Sequence, residues 1–366
     1  MQNAALLAPL VRRKKMLSLP SASGNPYQAL LYSEIGQDFQ TKFAGPRGLG
    51  RVTERDFDVL HIHWDDRMFG QEEDDAANDQ VLRQARALIT DFQARGGRVV
   101  WTIHNGQPHK VNSFDAFKSG REMLSEVADV IHVHADHACD HMVNTYGVAR
   151  DRIVTIPHPS YLGAYEPASR TLARRLVNEE TRQFLFFGML RRAKGIHVIR
   201  EATAKLTRRE VPYHLRMYGK AFKSQERFVK QMRANPNIDM RTDRIDDAEI
   251  PAVFAASQVY LAPVQSLFTS GSIMLALSFG LPVIGPNIRE MRETTPEECH
   301  HLLYPPEAPR GLIRSMRAAV AMSRKDLLEA RRACFRFAQD RSPQNVGQQM
   351  RALLEGETDR PAQTGR

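Results

Sequence analysis

Residues 264–286 read VQSLFTSGSIMLALSFGLPVIGP, and the rest of the chain is organised around them. A loop of small residues, Thr269, Ser270, Gly271 and Ser272, leads into an apolar helix expected over 273–279. The chain then turns at Gly280-Leu281-Pro282 and enters a short strand at 283–284. Backbone N–H groups at a helix start are unpaired within the helix and carry the positive end of its dipole. With hydroxyls beside them and no side chain at Gly271, they suit a dianionic group. A plain loop–helix–strand unit of an α/β protein would read the same way, so the stretch alone leaves both readings open.

Working outward, the second half alternates short apolar runs with helical patterns. Strands are expected over 184–187, 213–218 and 259–262, and helices over 195–206, 225–234 and 247–256. One or two Arg-rich amphipathic helices follow over 310–337, then a last helix over 345–354 and a polar, disordered tail from Gly356. In open parallel sheets ligands bind beyond the carboxyl ends of the strands. Here those ends carry Gly188, then Gly219 and Lys220, then Pro263, then the 269–272 loop. After Gly188 the chain continues Met-Leu-Arg191-Arg192-Ala-Lys194-Gly195, a glycine followed by cations ahead of a helix, which offers fixed positive charge to a diphosphate.

The first half alternates in the same way, with strands expected over 15–19, 59–63, 98–103, 130–134 and 153–156. Helices are expected from Tyr27, over 79–95 and 114–128, and up to Tyr146. A polar stretch over 161–182 separates the halves. Three regions result: 1–165, 166–340, and a C-terminal helix and tail over 341–366. At the strand ends of the first half lie His63, Asp65, Asp66 and His104. His61 and His63 share one face of their strand, whereas Asp65 and Asp66 lie just past its end, where a base could reach a substrate or where either could simply cap a turn. Asn25 and Tyr27 follow the first strand in an acceptor-facing loop or a turn with its cap.

Composition sets the outer bounds. The 366 residues suit roughly two domains, and 42% hydrophobic with 25% charged residues is a soluble, folded composition. A net charge of +9 favours anionic partners: nucleic acid, an acidic membrane surface or phosphorylated substrates. Cys139, Cys299 and Cys334 form no CxxC pair, which argues against a disulfide framework or a cysteine zinc site and fits a reducing cytoplasm. The basic cluster at 12–15 follows only a short apolar run, so no secretion signal is read, and no run of eighteen apolar residues is present to span a bilayer.

The spacing G-x-L-x-x-x-K-G from Gly188, a strand ending in Gly219, IPAVFAASQVYLAPV at 250–264 and SGSIMLALSFGLPVIGP at 270–286 together resemble the nucleotide-sugar half of a GT-B glycosyltransferase. The resemblance implies two Rossmann-like, doubly wound parallel-sheet domains facing across a cleft, the first binding acceptor and the second binding donor. It implies that Arg192 and Lys194 contact the donor diphosphate, that Thr269, Ser270, Gly271 and Ser272 cradle it, and that Gly219, Lys220 and Arg244 lie near the nucleoside. Retaining members of the broad family carry Glu-x7-Glu around the phosphate loop and an Arg after the first glycine. Leu267, Leu275 and Met189 stand there instead, which points to inversion.

SGNPYQALLYSEIG at 23–36, HIHWDD at 61–66, WTIHNGQPH at 101–109 and IPHPSYLGAY at 156–165 are similar to bacterial exopolysaccharide β-mannosyltransferases of the xanthan-assembly type. That narrower resemblance implies transfer of mannose from GDP-mannose to a polyprenyl-diphosphate-linked oligosaccharide. It places the protein in the cytoplasm, peripherally bound to the anionic inner face of the membrane, with no metal and no cofactor. A UDP-sugar is the second choice of donor. Asp65 is the expected base, with Asp66 its alternative. His104 would orient a sugar hydroxyl, and Asn25, Tyr27 and His63 would face the acceptor. Two rivals come from other classes. The histidines at 61, 63, 104, 132, 134, 137 and 158 suggest a metal-dependent hydrolase, and the basic runs suggest a nucleic-acid binder, although no reading motif accompanies them.

Overall fold

A computed structural model describes residues 12–357 apart from 23, 55, 109, 178 and 179; the expected disordered tail lies outside the described residues from 358 onward. The chain forms two compact units, one built from residues up to 134 with 138–156 and the segment from 347, the other from 135–137 and 157–346.

The first unit carries a parallel sheet of β1 (Lys14–Leu19), β2 (Phe39–Phe43), β3 (Val59–Ile62), β4 (Arg98–Thr102), β5 (Val130–Val133) and β6 (Ile153–Thr155), in the order β2-β1-β3-β4-β5-β6. β3 and β5 are wholly buried, as strands covered on both faces by crossover helices must be. Between β3 and β4 runs the helix Asp75–Ala94, which presses Ala85, Ile89 and Phe92 inward at helical spacing. It starts four residues before the expected 79, because the Asp74 carboxylate accepts from the Ala76 and Ala77 N–H groups and caps it. The helix Pro343–Glu355 supplies this unit's last piece. Gly347 lies against Ser33 and Glu34, Arg351 pairs with Asp38 at 2.8 Å, and Met350, Leu353 and Leu354 are buried.

The second unit carries β7 (Arg182–Phe187), β8 (Tyr213–Tyr218), β9 (Ile238–Arg241), β10 (Val259–Leu261) and β11 (Val283–Ile284), all parallel, in the order β11-β10-β7-β8-β9. The Arg-rich stretch resolves into two helices, Gly311–Ala321 and Arg324–Asp340, the second begun by a Ser323/Asp326 capping box. Strand order reverses between β1 and β3 in one unit and between β7 and β10 in the other. These are the two places where a doubly wound sheet opens a crevice at its carboxyl edge. Among the described residues no helix is long and apolar enough to cross a membrane.

Candidate active site

In the second unit the loops after β7, β8 and β10 are pressed together at the reversal point. Gly219 has φ +151°, and a Cβ there would stand 1.8 Å from the Gly188 carbonyl oxygen; Gly195 has φ +73°, and its Cβ would stand 1.8 Å from the Pro263 carbonyl oxygen. Only glycine permits these backbones to approach so closely. Leu190 N–H donates to the Lys220 carbonyl at 3.0 Å, and Tyr260 hydroxyl donates to the Phe187 carbonyl at 2.9 Å, tying the three loops into one rim.

Cations collect on that rim. Burial, reinforced by the charge of Arg191, pushes the Lys194 ammonium below its ordinary range, and among the described residues no carboxylate pairs with Lys194, Arg191 or Arg192. Arg191 Nε and Thr269 Oγ1 are screened from solvent without a hydrogen-bond partner. Withdrawn cations and donors left unsatisfied are costly unless an anion completes them. Ser270 accepts from Ile273 N–H as the cap of the helix Gly271–Ser278 and lies 3.1 Å from the Ser272 hydroxyl. Phe268, just ahead of the loop, is held from behind, since His137 Nε2 donates to its carbonyl at 2.9 Å while Nδ1 lies 2.7 Å from Glu293. Gly271 has a different reason from the one read in the sequence: a Cβ would meet Tyr161 hydroxyl at 2.5 Å, so its bare face is filled by protein. Lys220 and Arg244 are exposed, and Arg244 lies 3.8 Å from Asp247. Leu267 and Leu275 are buried hydrocarbon.

In the first unit the residues of one sheet face stack by the two-residue period of a strand: Ser18 on β1, His61 on β3, Thr102 on β4 and His132 on β5, with His63, His104 and His134 just past the strand ends. All seven are less than a tenth exposed. Hydrogen bonds join them. His132 Nε2 lies 2.9 Å from the Ile156 carbonyl, and Thr102 Oγ1 bridges His132 Nδ1 at 2.9 Å and His61 Nε2 at 2.7 Å. Tyr32 hydroxyl meets His61 Nδ1 and His63 Nε2, each at 2.7 Å, and His63 Nδ1 meets His104 Nε2 at 3.0 Å. Trp64 stacks on His104 at 4.3 Å, and Tyr27 stands edge-on to it at 4.9 Å. Tyr27 hydroxyl also meets His134 Nε2 at 3.0 Å.

Of the residues expected here, the structure brings Tyr27, His63 and His104 together. Asn25 is spent on the turn, its side chain accepting from Tyr27 N–H at 3.0 Å. Asp65 has a partner that the sequence did not show. Its two oxygens receive Arg121 Nε at 2.6 Å and Nη2 at 3.3 Å, and both side chains are buried. Burial lifts the Asp65 carboxyl above its usual range while Arg121 pulls it back. A carboxylate so clamped is suited to fastening, which tells against the proton-accepting role read for it in the sequence. Asp66 is buried beside it. The same Arg121 donates to the Asn105 and Gly106 carbonyls at 2.6 and 3.0 Å, so it fixes the loop that carries His104. Sequence reading passed over Arg121, although an arginine on the Phe117/Gly120/Leu124 face of an amphipathic helix signals a buried partner. Tyr32 and Thr102 gave no comparable signal. The hydrolase reading fails on the same geometry: both ring nitrogens of His61, His63 and His132 are engaged by protein groups, and among the described residues no cluster of three or more His, Cys, Asp or Glu is arranged to hold a metal.

Comparison with known proteins agrees with this geometry. Residues 181–321 match the family described as "Glycosyl transferases group 1". The chain is 24% identical over 290 residues to a GDP-mannose:glycolipid 4-beta-D-mannosyltransferase of Xanthomonas campestris pv. campestris, covering 77% of this chain and 75% of the relative. Among solved structures, the sucrose-phosphate synthase of Thermosynechococcus elongatus superposes with TM-score 0.68 at 12% identity over 94% of this chain and 99% of its own. Anabaena Alr3699/HepE, in complex with UDP and glucose, superposes with TM-score 0.61 at 14% identity over 94% and 100%. Residues 181–321 are therefore a glycosyl transferases group 1 domain, and the chain that carries them is a glycosyltransferase of the GT-B fold.

Proposed function

We propose that the chain transfers mannose from GDP-mannose, with inversion, to a lipid-diphosphate-linked oligosaccharide during exopolysaccharide assembly. The observation that carries the donor half is that, among the described residues, the cations at the β7/β10 reversal have no carboxylate partner while Arg191 Nε and Thr269 Oγ1 are buried without a hydrogen-bond partner. Lys194, Arg192 and the helix start at Gly271 would hold the diphosphate, with Thr269, Ser270 and Ser272 beside them and Gly188 allowing close approach. Gly219, Lys220 and Arg244 stand toward the nucleoside. In the reaction the acceptor hydroxyl loses its proton to a base and its oxygen attacks the anomeric carbon. The bond to the diphosphate breaks, and the leaving group departs with the electron pair, neutralised by fixed positive charge. The hydrocarbon side chains at 267 and 275 leave the donor loop no acid or base, in keeping with inversion.

Mannose and a glycolipid acceptor are supported by the name of the Xanthomonas relative. The UDP bound by HepE makes a UDP-sugar the second reading of the donor. The net charge of +9 suits a peripheral position on anionic lipid, where the acceptor's diphosphate resides. A thermal-shift panel tests the donor: GDP-mannose should raise Tm by several degrees at about a hundred times its Kd. Stabilisation by UDP-glucose alone would move the donor to the second reading, and no response to any nucleotide sugar would overturn the assignment. Lys194→Ala should abolish the shift and lower transfer at least about a hundredfold with the fold intact.

A further inference from the structure

The first unit also holds an open space at the carboxyl edge of its sheet. A cavity of about 910 Å³ lies between the loop after β2, the loop after β3 and the helix Asp75–Ala94. That is near the upper end of the roughly 300–1,000 Å³ of small-molecule sites. Its frame is fixed by hydrogen bonds. Gln71 Nε2 donates to the Asp66 and Lys110 carbonyls at 2.6 and 3.0 Å, and Asn78 Nδ2 donates to the Glu72 carbonyl at 3.0 Å. The buried Asp65–Arg121 pair holds the turn Asp65–Arg67, which delivers Arg67 to the cavity wall. The space is therefore built into the fold.

The lining divides into hydrocarbon and positive charge. Leu49, Met68, Phe69 and Ala85 line it and are each less than a tenth exposed, and half-buried Val81 and Leu88 share one helix face with Ala85. Arg47 and Arg51 come from the β2 loop and Arg67 from the β3 loop, all three exposed. Glu72 is the one carboxylate residue in the lining. It meets Arg47 at 3.3 Å, but with Arg47 91% exposed such a pair is worth little in water, and an anion can replace it. Arg51 enters no ion pair among the described residues. Arg67 Nη1 donates to the Ser21 carbonyl at 2.9 Å, which leaves the guanidinium its charge and further N–H groups. A free sugar, with hydroxyls on every side, does not match a hydrocarbon wall. A chain of hydrocarbon with an anionic head matches both parts.

We propose that this cavity seats the lipid end of the acceptor, with the first isoprene units against Leu49, Phe69, Ala85 and Leu88 and the diphosphate against Arg47, Arg51 and Arg67. The inference rests on the lipid-diphosphate reading above for the identity of the occupant; the division of the lining into hydrocarbon and cations stands without it. The position suits an acceptor. A single turn separates Arg67 from Trp64, which stacks on His104, and the bond from Arg67 to Ser21 reaches the loop that leads from β1 to Tyr27. A diphosphate held by Arg67 thus sends its sugar toward the reversal between β1 and β3, where Tyr27, Trp64 and His104 meet.

Calorimetric titration of the full-length protein with farnesyl diphosphate, a short isoprenoid diphosphate used while monomeric, tests the seat. Inorganic pyrophosphate and farnesol serve as the two halves of the probe. Because the second unit offers a diphosphate site of its own, the titrations are made in Lys194→Ala protein. There farnesyl diphosphate should bind at least about tenfold more tightly than pyrophosphate or farnesol. Arg51→Glu and Leu88→Glu, neither at a fully buried position, should each weaken it at least about tenfold with the circular dichroism unchanged. No binding in Lys194→Ala protein, or binding indifferent to either substitution, overturns the proposal. Pyrophosphate bound as tightly as the lipid would show a free-anion site, and farnesol bound as tightly would show a plain apolar one; either overturns it. Should GDP-mannose and UDP-glucose give no thermal shift while farnesyl diphosphate still depends on Arg51 and Leu88, the sugar-transfer reading falls and the lipid seat stands.

Discussion

Asp65 and Arg121 show how one partner changes a residue's role. Past a strand end, an aspartate of an enzyme reads as a base; joined at 2.6 Å to an arginine 56 positions away, it is a fastening. Removing one member of such a buried pair leaves the other charged and unpaired, at a cost of about 3–5 kcal/mol. Arg121→Met should therefore lower the urea-unfolding free energy by that order, because it also strips the donors from the Asn105 and Gly106 carbonyls. An Asp65→Asn variant of undiminished stability with kcat abolished would return Asp65 to the base role. At this scale the sequence showed the right residue types at the strand ends. It could not show which of them are already spent on each other, since that depends on contacts between positions far apart in the chain.

At the scale of elements, the strands with unbroken apolar runs were legible and two of the edge strands were not. β8 and β11 fall where their apolar runs predict, at Tyr213–Tyr218 and Val283–Ile284. β2 and β9 escaped, and each lies at an edge of its sheet. In FQTKF only Phe39 is buried, and in IDMR buried and exposed residues alternate, so neither presents the unbroken apolar run of a covered strand. The glycines at the carboxyl ends were legible as well, though their purpose is sharper in three dimensions. Gly219→Ala would force a side chain into positive φ and against the Gly188 carbonyl. It should cost at least about 2 kcal/mol, read as a lowered denaturant midpoint, and should weaken nucleotide-sugar binding because the rim would have to open. A stability change within about 0.5 kcal/mol would show that the loops separate freely.

For the whole molecule, charge and composition narrowed the partners to anions and went no further, while the motifs supplied the chemistry. A pH dependence follows from the buried imidazoles. Burial first, then neighbouring histidines, holds His61 and His63 well below the ordinary value in the folded state. The unfolded chain therefore binds more protons than the folded one once pH falls below about 6.5. Their contribution to stability is fully present above that value and is lost as pH drops. The slope is about 1.4 kcal/mol per pH unit for each group, so the urea midpoint should fall steadily from pH 6.5 toward pH 5. Tyr32→Phe keeps both imidazoles buried and should keep the slope, whereas His61→Gln should lessen it; a wild-type midpoint flat across this range contradicts the buried neutral pair.

The first unit is written in pieces, its sheet complete by Thr155 but its final helical segment supplied only from 347 onward. On the ribosome, residues 157–346 emerge as one uninterrupted stretch, and the unit begun first is the last to receive all its parts. Until then the surface that takes Gly347, Met350 and Leu353 stays open, so the nascent chain carries a waiting apolar seat through the synthesis of nearly two hundred residues. Folding of the first unit is thereby tied to synthesis past residue 347, and a product cut short before it would carry both sheets while leaving the histidine-bearing one without its last helix.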